Sequence, residues 1–174
     1  MRIYVLVSQA RPLKVWIYKE GIVRFSSERY NLGSLDNLYS HLTNSSINKY
    51  GPSASSVNTA NCFGSGIKWS FDQLKCYLID HGHDWNKLWI RIESLINLTM
   101  INLCPLIPNL DCCFELFGFD VIVDQNMKPW LLEVNSSPAM SNDGEIDSRI
   151  KPRMIREIMR IVHVEPYVEY VSSL

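Results

Sequence analysis

The sequence predicts an α+β domain, an antiparallel sheet with helices packed on one face. Strand-like and helix-like segments come in blocks and not in strict alternation, which disfavours the βαβ units of a parallel sheet. The 174 residues are 47% hydrophobic and 20% charged, the balance of a globular domain with one sizeable core. Two apolar runs, residues 113–124 and 128–135, are separated only by a short polar turn, as in a hairpin.

The chain opens on a buried-type strand, residues 2–8, where Ile3, Tyr4, Val5, Leu6 and Val7 follow Arg2 with no cap or leader ahead of them. So abrupt a start predicts the C-terminal part of something larger. A second strand is expected at residues 14–18 and, after a Lys19-Glu20-Gly21 turn, a third at 22–25, which together make an antiparallel meander. Residues 50–66, rich in Gly, Ser, Asn and Pro, read as a mobile loop. Ser70 with Gln73 forms a capping box, opening a helix with Phe71, Leu74 and Leu78 on one face. Asp84 caps a longer helix from Trp85 towards Asn102, with Leu88, Ile92, Leu95 and Ile96 inward and Lys87 and Arg91 outward. The hairpin follows Pro105 and Pro108. A last helix is expected to carry Pro152 in its first turn, where a missing N–H is harmless, and to bury Met154, Ile155, Ile158 and Ile161.

The hairpin carries the chemistry. With residues 125–128 as the turn, Asp124 faces Pro129, Ile122 faces Leu131, and Asp120 faces Glu133 directly across the ladder. Asn135 points the same way as Glu133, so three oxygen-bearing side chains share one patch. Two opposed carboxylates repel, and a positive group is expected between them. Hard oxygen donors in this number suit magnesium, and with it phosphoryl transfer. A solvated hairpin face, or a salt bridge to a Lys or Arg elsewhere in the chain, explains the same pattern equally well.

Charge and cysteines exclude several classes. With 17 basic and 18 acidic side chains the net charge is −1, which argues against nucleic-acid binding through bulk electrostatics. No apolar run reaches membrane-spanning length. Cys62, Cys76, Cys104, Cys112 and Cys113 form an odd set without a C-x-x-C pair and read as free thiols of a reducing compartment. His81, His83 and Asp84 lack a fourth metal ligand and read as a solvated loop, His41 as a core histidine, and the five tryptophans as packing residues. Arg153, Arg156 and Arg160 form a basic stripe whose default reading is a solvated helix face.

Four segments together resemble one family. These are Arg24-Phe25-Ser26-Ser27-Glu28, His41-Leu42-Thr43-Asn44, Phe114-Glu115-Leu116-Phe117-Gly118-Phe119-Asp120 and Trp130-Leu131-Leu132-Glu133-Val134-Asn135. In order and spacing they are similar to the C-terminal half of the tubulin tyrosine ligase-like enzymes, and the serine after Asn44 resembles the group's polyglutamylase branch. The resemblance implies an ATP-grasp fold, with residues 1–163 as its C-terminal part, the N-terminal part missing, and residues 164–174 as a tail. It implies ATP and Mg2+ as cofactors, and transfer of the γ-phosphoryl group to a glutamate side chain of an acidic tubulin tail. Free glutamate then attacks the acyl phosphate through its amine. Asp120, Glu133 and Asn135 are similar to the family's magnesium ligands. Arg2, Arg24, Thr43 and Asn44 match positions that contact nucleotide or incoming amino acid, with Arg2 and Arg24 suited to stabilising phosphate charge. Ser136 and Lys151 match positions that hold the free glutamate.

The same resemblance implies a cytoplasmic protein at the microtubule cytoskeleton, including the cilium or flagellar basal body, with no nucleic-acid or membrane partner. It also makes an acidic tubulin tail a candidate partner of the basic stripe. One departure stands out: the family carries an aspartate two positions before the arginine that matches Arg2, and this sequence begins too late to supply it. The rival expectation is therefore a catalytically inactive remnant that binds tubulin tails or serves as a structural module. An unrelated magnesium phosphotransferase would need a G-x-x-x-x-G-K-[ST] loop, which the sequence lacks.

Overall fold

A computed structural model of the chain describes residues 1–43, 47, 68–108, 110 and 113–163. Five antiparallel strands form one sheet: β1 (Arg2–Gln9), β2 (Lys14–Arg24), β3 (Lys68–Ser70), β4 (Glu115–Val123) and β5 (Pro129–Asn135), in the order β3-β2-β1-β4-β5. The helices are α1 (Leu38–His41), α2 (Phe71–Asp80), α3 (Trp85–Leu103) and α4 (Glu145–Ile161). The expected α+β class holds. The expected loop at residues 50–66 and the tail at 164–174 lie outside the described residues.

Packing on one face is corrected to packing on both. Strand β1 is central, and its side chains alternate between two cores. Ile3, Val5 and Val7 pack with Phe71, Leu88, Ile92 and Ile96 of α2 and α3, while Tyr4 and Leu6 pack with Met154 and Ile158 of α4. The unbroken apolar run of β1, which does not alternate with polar residues, is the sequence signature of a strand covered twice.

Two further expectations change. Residues 14–25 hold one long strand, not two joined at Gly21. A side chain there would collide with the Phe71 ring and the Arg2 carbonyl, so this glycine serves close packing and not a turn. The third strand beside β2 is instead the short β3. Helix α4 starts seven residues before Pro152, at Glu145, with Glu145 and Asp147 in its first turn beside the positive end of the helix dipole. Pro152 sits inside the helix on its exposed side, where it takes one N–H from the i to i−4 ladder. Met154 and Ile158 are buried as expected, and Ile155 and Ile161 half-buried.

The capping predictions hold. Ser70 Oγ accepts from Gln73 N at 3.3 Å while Gln73 Oε1 accepts from Ser70 N at 2.8 Å, and Asp84 Oδ1 accepts from Lys87 N at 3.1 Å. Along α3, Leu88, Ile92, Ile96 and Met100 recur every fourth residue and are buried, with Leu95 half-buried beside them.

Candidate functional site

The site is built on the sheet face that α4 covers, and a bulge in the hairpin makes it possible. In a regular strand Leu131 and Glu133 would share a face, which would drive the carboxylate into the apolar core. Instead Leu131 and Val134 both pack against the α2/α3 core, and the β4–β5 register shifts between Asp120 and Val121. The extra residue turns Glu133 to the opposite face, a known use of bulges beside functional sites. Asp120 pairs with Glu133 as expected, but beyond the shift Ile122 pairs with Trp130, not Leu131, and Val123 takes Pro129 in place of Asp124. Asp124 instead organises the turn, its Oδ1 accepting from Asn126 N at 2.8 Å and Lys128 N at 3.0 Å.

Register then aligns the charged groups. Ser70, Ile22, Arg2, Asp120 and Glu133 are successive direct partners across all five strands, so they share one face. In a neighbouring row, Tyr4, Gly118 and Asn135 are partners. In another, Arg24 faces Lys68.

For Asp120 the structure bears out the salt-bridge alternative: its partner is Arg2, which lies on the far side of Asp120 from Glu133 and not between the two carboxylates. The Arg2 Nε donates to Asp120 Oδ1 at 2.6 Å and its Nη2 to Asp120 Oδ2 at 2.8 Å, a two-pronged pair. Burial pushes the Asp120 carboxyl up, but the Arg2 guanidinium outweighs it and holds the group below its ordinary value. Asn135 Nδ2 donates to Glu133 Oε1 at 2.9 Å, leaving the Asn135 amide oxygen available as a donor atom. Gly118 makes room for Arg2: a Cβ there would lie 3.0 Å from Arg2 Nη1 and 2.8 Å from the Pro138 Cβ.

The donor chemistry fits magnesium. The Glu133 carboxylate and the Asn135 amide oxygen are hard ligands, Asp120 adds one only alongside the Arg2 pair that already engages both of its oxygens, and the ion ordinarily takes its remaining positions from water and phosphate. Among the described residues no three His, Cys, Asp or Glu side chains gather as a metal cage, so such an ion would lean on Asn135 and on non-protein oxygens.

Arg24 and Thr43 line a separate open cleft of about 350 Å3 with Phe25, Ser26, Asp124 and Leu132. The Arg24 Nε is buried and has no hydrogen-bond partner among the described residues. Asn44 lies outside the described residues. His41 is no core histidine: its ring is half-buried, Nε2 lies 2.9 Å from the Ser34 carbonyl, and Tyr30 packs edge-on against it.

Ser136 is exposed just past β5, and Lys151 is buried in a network that sequence reasoning missed. Asp147, fully buried, receives Lys68 Nζ at 2.7 Å and forms an ion pair with Lys151 Nζ at 2.6 Å, without a directed hydrogen bond to that oxygen. Lys151 also donates to the Ser141 carbonyl at 2.5 Å. Strand β3, helix α4 and the segment that follows β5 are thereby tied together around one carboxylate. Burial pushes Asp147 up, and the two lysines bring it below its usual range. The i, i+4 spacing of Asp147 and Lys151 was the available signal. Tyr4 lies at the centre: burial raises its phenol, and Arg2, Asp147, Arg24 and Asp120 all act on it electrostatically.

Fold and site thus define an α+β domain that gathers two carboxylates, an amide and paired cations on one face of a sheet. The chain belongs to the tubulin-tyrosine ligase family, whose pattern it matches over residues 1–169. It is 42% identical over 164 residues to the human protein named probable tubulin polyglutamylase TTLL2, covering 94% of this chain and 27% of that one. It is 39% identical over 172 residues to mouse tubulin polyglutamylase TTLL5, covering 93% of this chain and 13% of the relative. Mouse tubulin polyglutamylase TTLL6 is 36% identical over 178 residues, 94% of this chain and 21% of the relative. The chain therefore spans under a third of these relatives' length. Among the described residues no helix is long and apolar enough to cross a membrane.

Proposed function

We propose that this chain is the metal- and phosphate-facing part of an ATP-dependent carboxylate–amine ligase that adds glutamate to glutamate side chains of tubulin tails. The observation that carries the reading is the alignment of Arg2, Asp120 and Glu133 across three strands with Asn135 beside them. Family membership and the polyglutamylase names of the relatives support the choice of substrate. On this reading residues 1–163 are the C-terminal portion of an ATP-grasp domain and residues 164–174 a tail. The protein works in the cytoplasm on microtubules, including those of cilia or flagellar basal bodies.

Each residue has a role that its chemistry permits. Asp120, Glu133 and Asn135 hold Mg2+, which when bound neutralises charge on the ATP phosphates. Arg24, whose buried Nε has no hydrogen-bond partner among the described residues, takes a phosphate oxygen in the cleft that it shares with Thr43. Thr43 and Asn44 hydrogen-bond the nucleotide without adding charge. Arg2 stands against the transferring phosphoryl group and the incoming amino acid. An oxygen of the acceptor carboxylate bonds to the γ-phosphorus as the bond to ADP breaks, ADP leaving with the electron pair. The amine of free glutamate then bonds to the acyl carbon, phosphate leaves with its bonding pair, and the nitrogen loses a proton. Ser136, exposed just past β5, holds the carboxylate of that glutamate, while Lys151, buried and committed to Asp147 and the Ser141 carbonyl, does not reach it directly and instead fixes the segment that follows β5.

Competition among labelled glutamate, glycine and tyrosine tests the reading, using the longest open reading frame that carries residues 1–174 and a tubulin preparation. Glutamate incorporation is expected. Tyrosine incorporation overturns the polyglutamylase reading, and incorporation of none of the three with retained tubulin binding favours an inactive binding module.

A further inference from the structure

A cavity of about 350 Å3 opens between β2 and the C-terminal half of α4. Tyr4, Leu6, Met154, Ile158 and Ile161 give it apolar walls, and every residue from 16 to 20 lines it. Side chains alternate faces along a strand, so consecutive residues line one cavity where it follows the strand's edge and reaches the backbone. That edge is open. Strand β3 pairs only with Ile22, Val23 and Arg24, so among the described residues the stretch 14–20 has β1 on one side and no strand on the other. Trp16, whose Nε1 donates to Ser8 Oγ at 2.9 Å, stands 49% exposed at the cavity's rim.

Helix α4 delivers the chain to this place. Ile161 lines the cavity, Val162 packs on the same core as Tyr4 and Leu6, and His163 has the left-handed backbone, φ 56°, with which a chain turns off a helix axis. The sequence then changes period. Val164, Pro166, Val168 and Tyr170 alternate with Glu165, Tyr167 and Glu169, the two-residue repeat of a half-buried strand and not the repeat of a helix. We propose that residues 164–171 fold back as an edge strand along residues 14–20 of β2, with Val164, Pro166, Val168 and Tyr170 towards the cavity. Valine and tyrosine are strand formers, and a proline is tolerated on an edge strand, which leaves its outward N–H groups unpaired. Lys14 and Lys19, both exposed, are the cations of the β2 stretch, and Glu165 and Glu169 supply the opposite charge. Only Val162 and His163 separate the segment from Ile161, so it meets the edge at an effective concentration on the order of millimolar, which disfavours a second copy as the occupant. Docking closes an edge that would otherwise template pairing with other chains. The proposal does not rest on the ligase reading.

Amide hydrogen exchange of the chain of residues 1–174, resolved residue by residue by NMR, tests this. The amides of residues 14–20 that point away from β1, and alternate amides of residues 164–171, should exchange at least about tenfold more slowly in the parent than in a Val168→Asp/Tyr170→Asp variant whose β4 and β5 chemical shifts match the parent's. Nuclear Overhauser contacts between the Tyr170 ring and Trp16 or Met154 are expected in the parent, a readout that does not depend on the variant folding. Equal rates in parent and variant overturn the proposal, as does a parent in which residues 164–171 exchange at the rates of an unstructured chain and make no such contacts. Protection that appears only as the protein concentration is raised also overturns it, by assigning the edge to a second copy.

Discussion

Arg2 and Asp120 are direct partners on β1 and β4, and the guanidinium of one grips both oxygens of the other at 2.6 and 2.8 Å. The pair is mostly shielded, with side-chain exposures of 12% and 25%, and it stands one strand from Glu133. It neutralises one of two opposed carboxylates and fixes the line along which the other is presented.

Asp120→Asn should therefore act on stability as well as on any metal. It leaves Arg2 with a neutral partner at a partly buried position, a loss of about 1–3 kcal/mol once solvent screening is allowed for. Urea denaturation at neutral pH should show a lower midpoint with unchanged slope. Arg2→Lys, which keeps the charge but loses the fork, should show only part of that loss.

Gly118→Ala tests the space that Arg2 occupies. The added Cβ would lie 2.8 Å from the Pro138 Cβ and 3.2 Å from Arg2 Cδ, and the proline ring cannot yield. A destabilisation of about 1–3 kcal/mol is expected from overpacking, visible as a lower thermal midpoint. The Arg2→Ala background should relieve the part of that penalty caused by the guanidinium, leaving the proline clash.

Asp147 predicts an acid response. Its carboxyl is held below the usual value, as is that of Asp120, so both contribute stability that is complete above the unfolded pKa of about 3.9. That contribution is lost as pH falls further, through the lower folded values. Asp147→Asn should be destabilised by about 3–5 kcal/mol at neutral pH, because Lys68 and Lys151 lose their shared counter-ion, and should show a flatter stability profile below pH ~4. Denaturant midpoints of both proteins between neutral pH and strong acid check the sign and the window.

Local chemistry was legible and tertiary override was not. The Ser70–Gln73 box and the Asp84 cap followed from spacing alone, because each depends on neighbours in sequence, whereas the Asp120–Glu133 pairing is met only because the bulge offsets a turn one residue out of the expected register. Gly21 was read as a turn because glycine ordinarily punctuates strands; the Phe71 ring that demands it there is distant in sequence. The bulge that turns Glu133 away from the core answers a packing conflict between Leu131 and Val134 that appears only once both cores exist. Helices on both faces were foreshadowed by the fully apolar β1. The Lys68–Asp147 contact joins residues 79 apart, beyond the reach of periodicity.

The central claim is that Glu133, opposite Asp120 and beside Asn135, holds the magnesium of a glutamate ligase. Its most direct test is the incorporation of labelled glutamate into tubulin by the longest open reading frame carrying residues 1–174, compared with its Glu133→Gln variant, with and without ATP and Mg2+. The prediction is incorporation that requires both cofactors and falls by about a hundredfold or more in Glu133→Gln, while the circular dichroism spectrum and thermal midpoint stay close to the parent. Glutamate transfer by Glu133→Gln at the parent rate, or transfer by the parent that persists without magnesium, would contradict it.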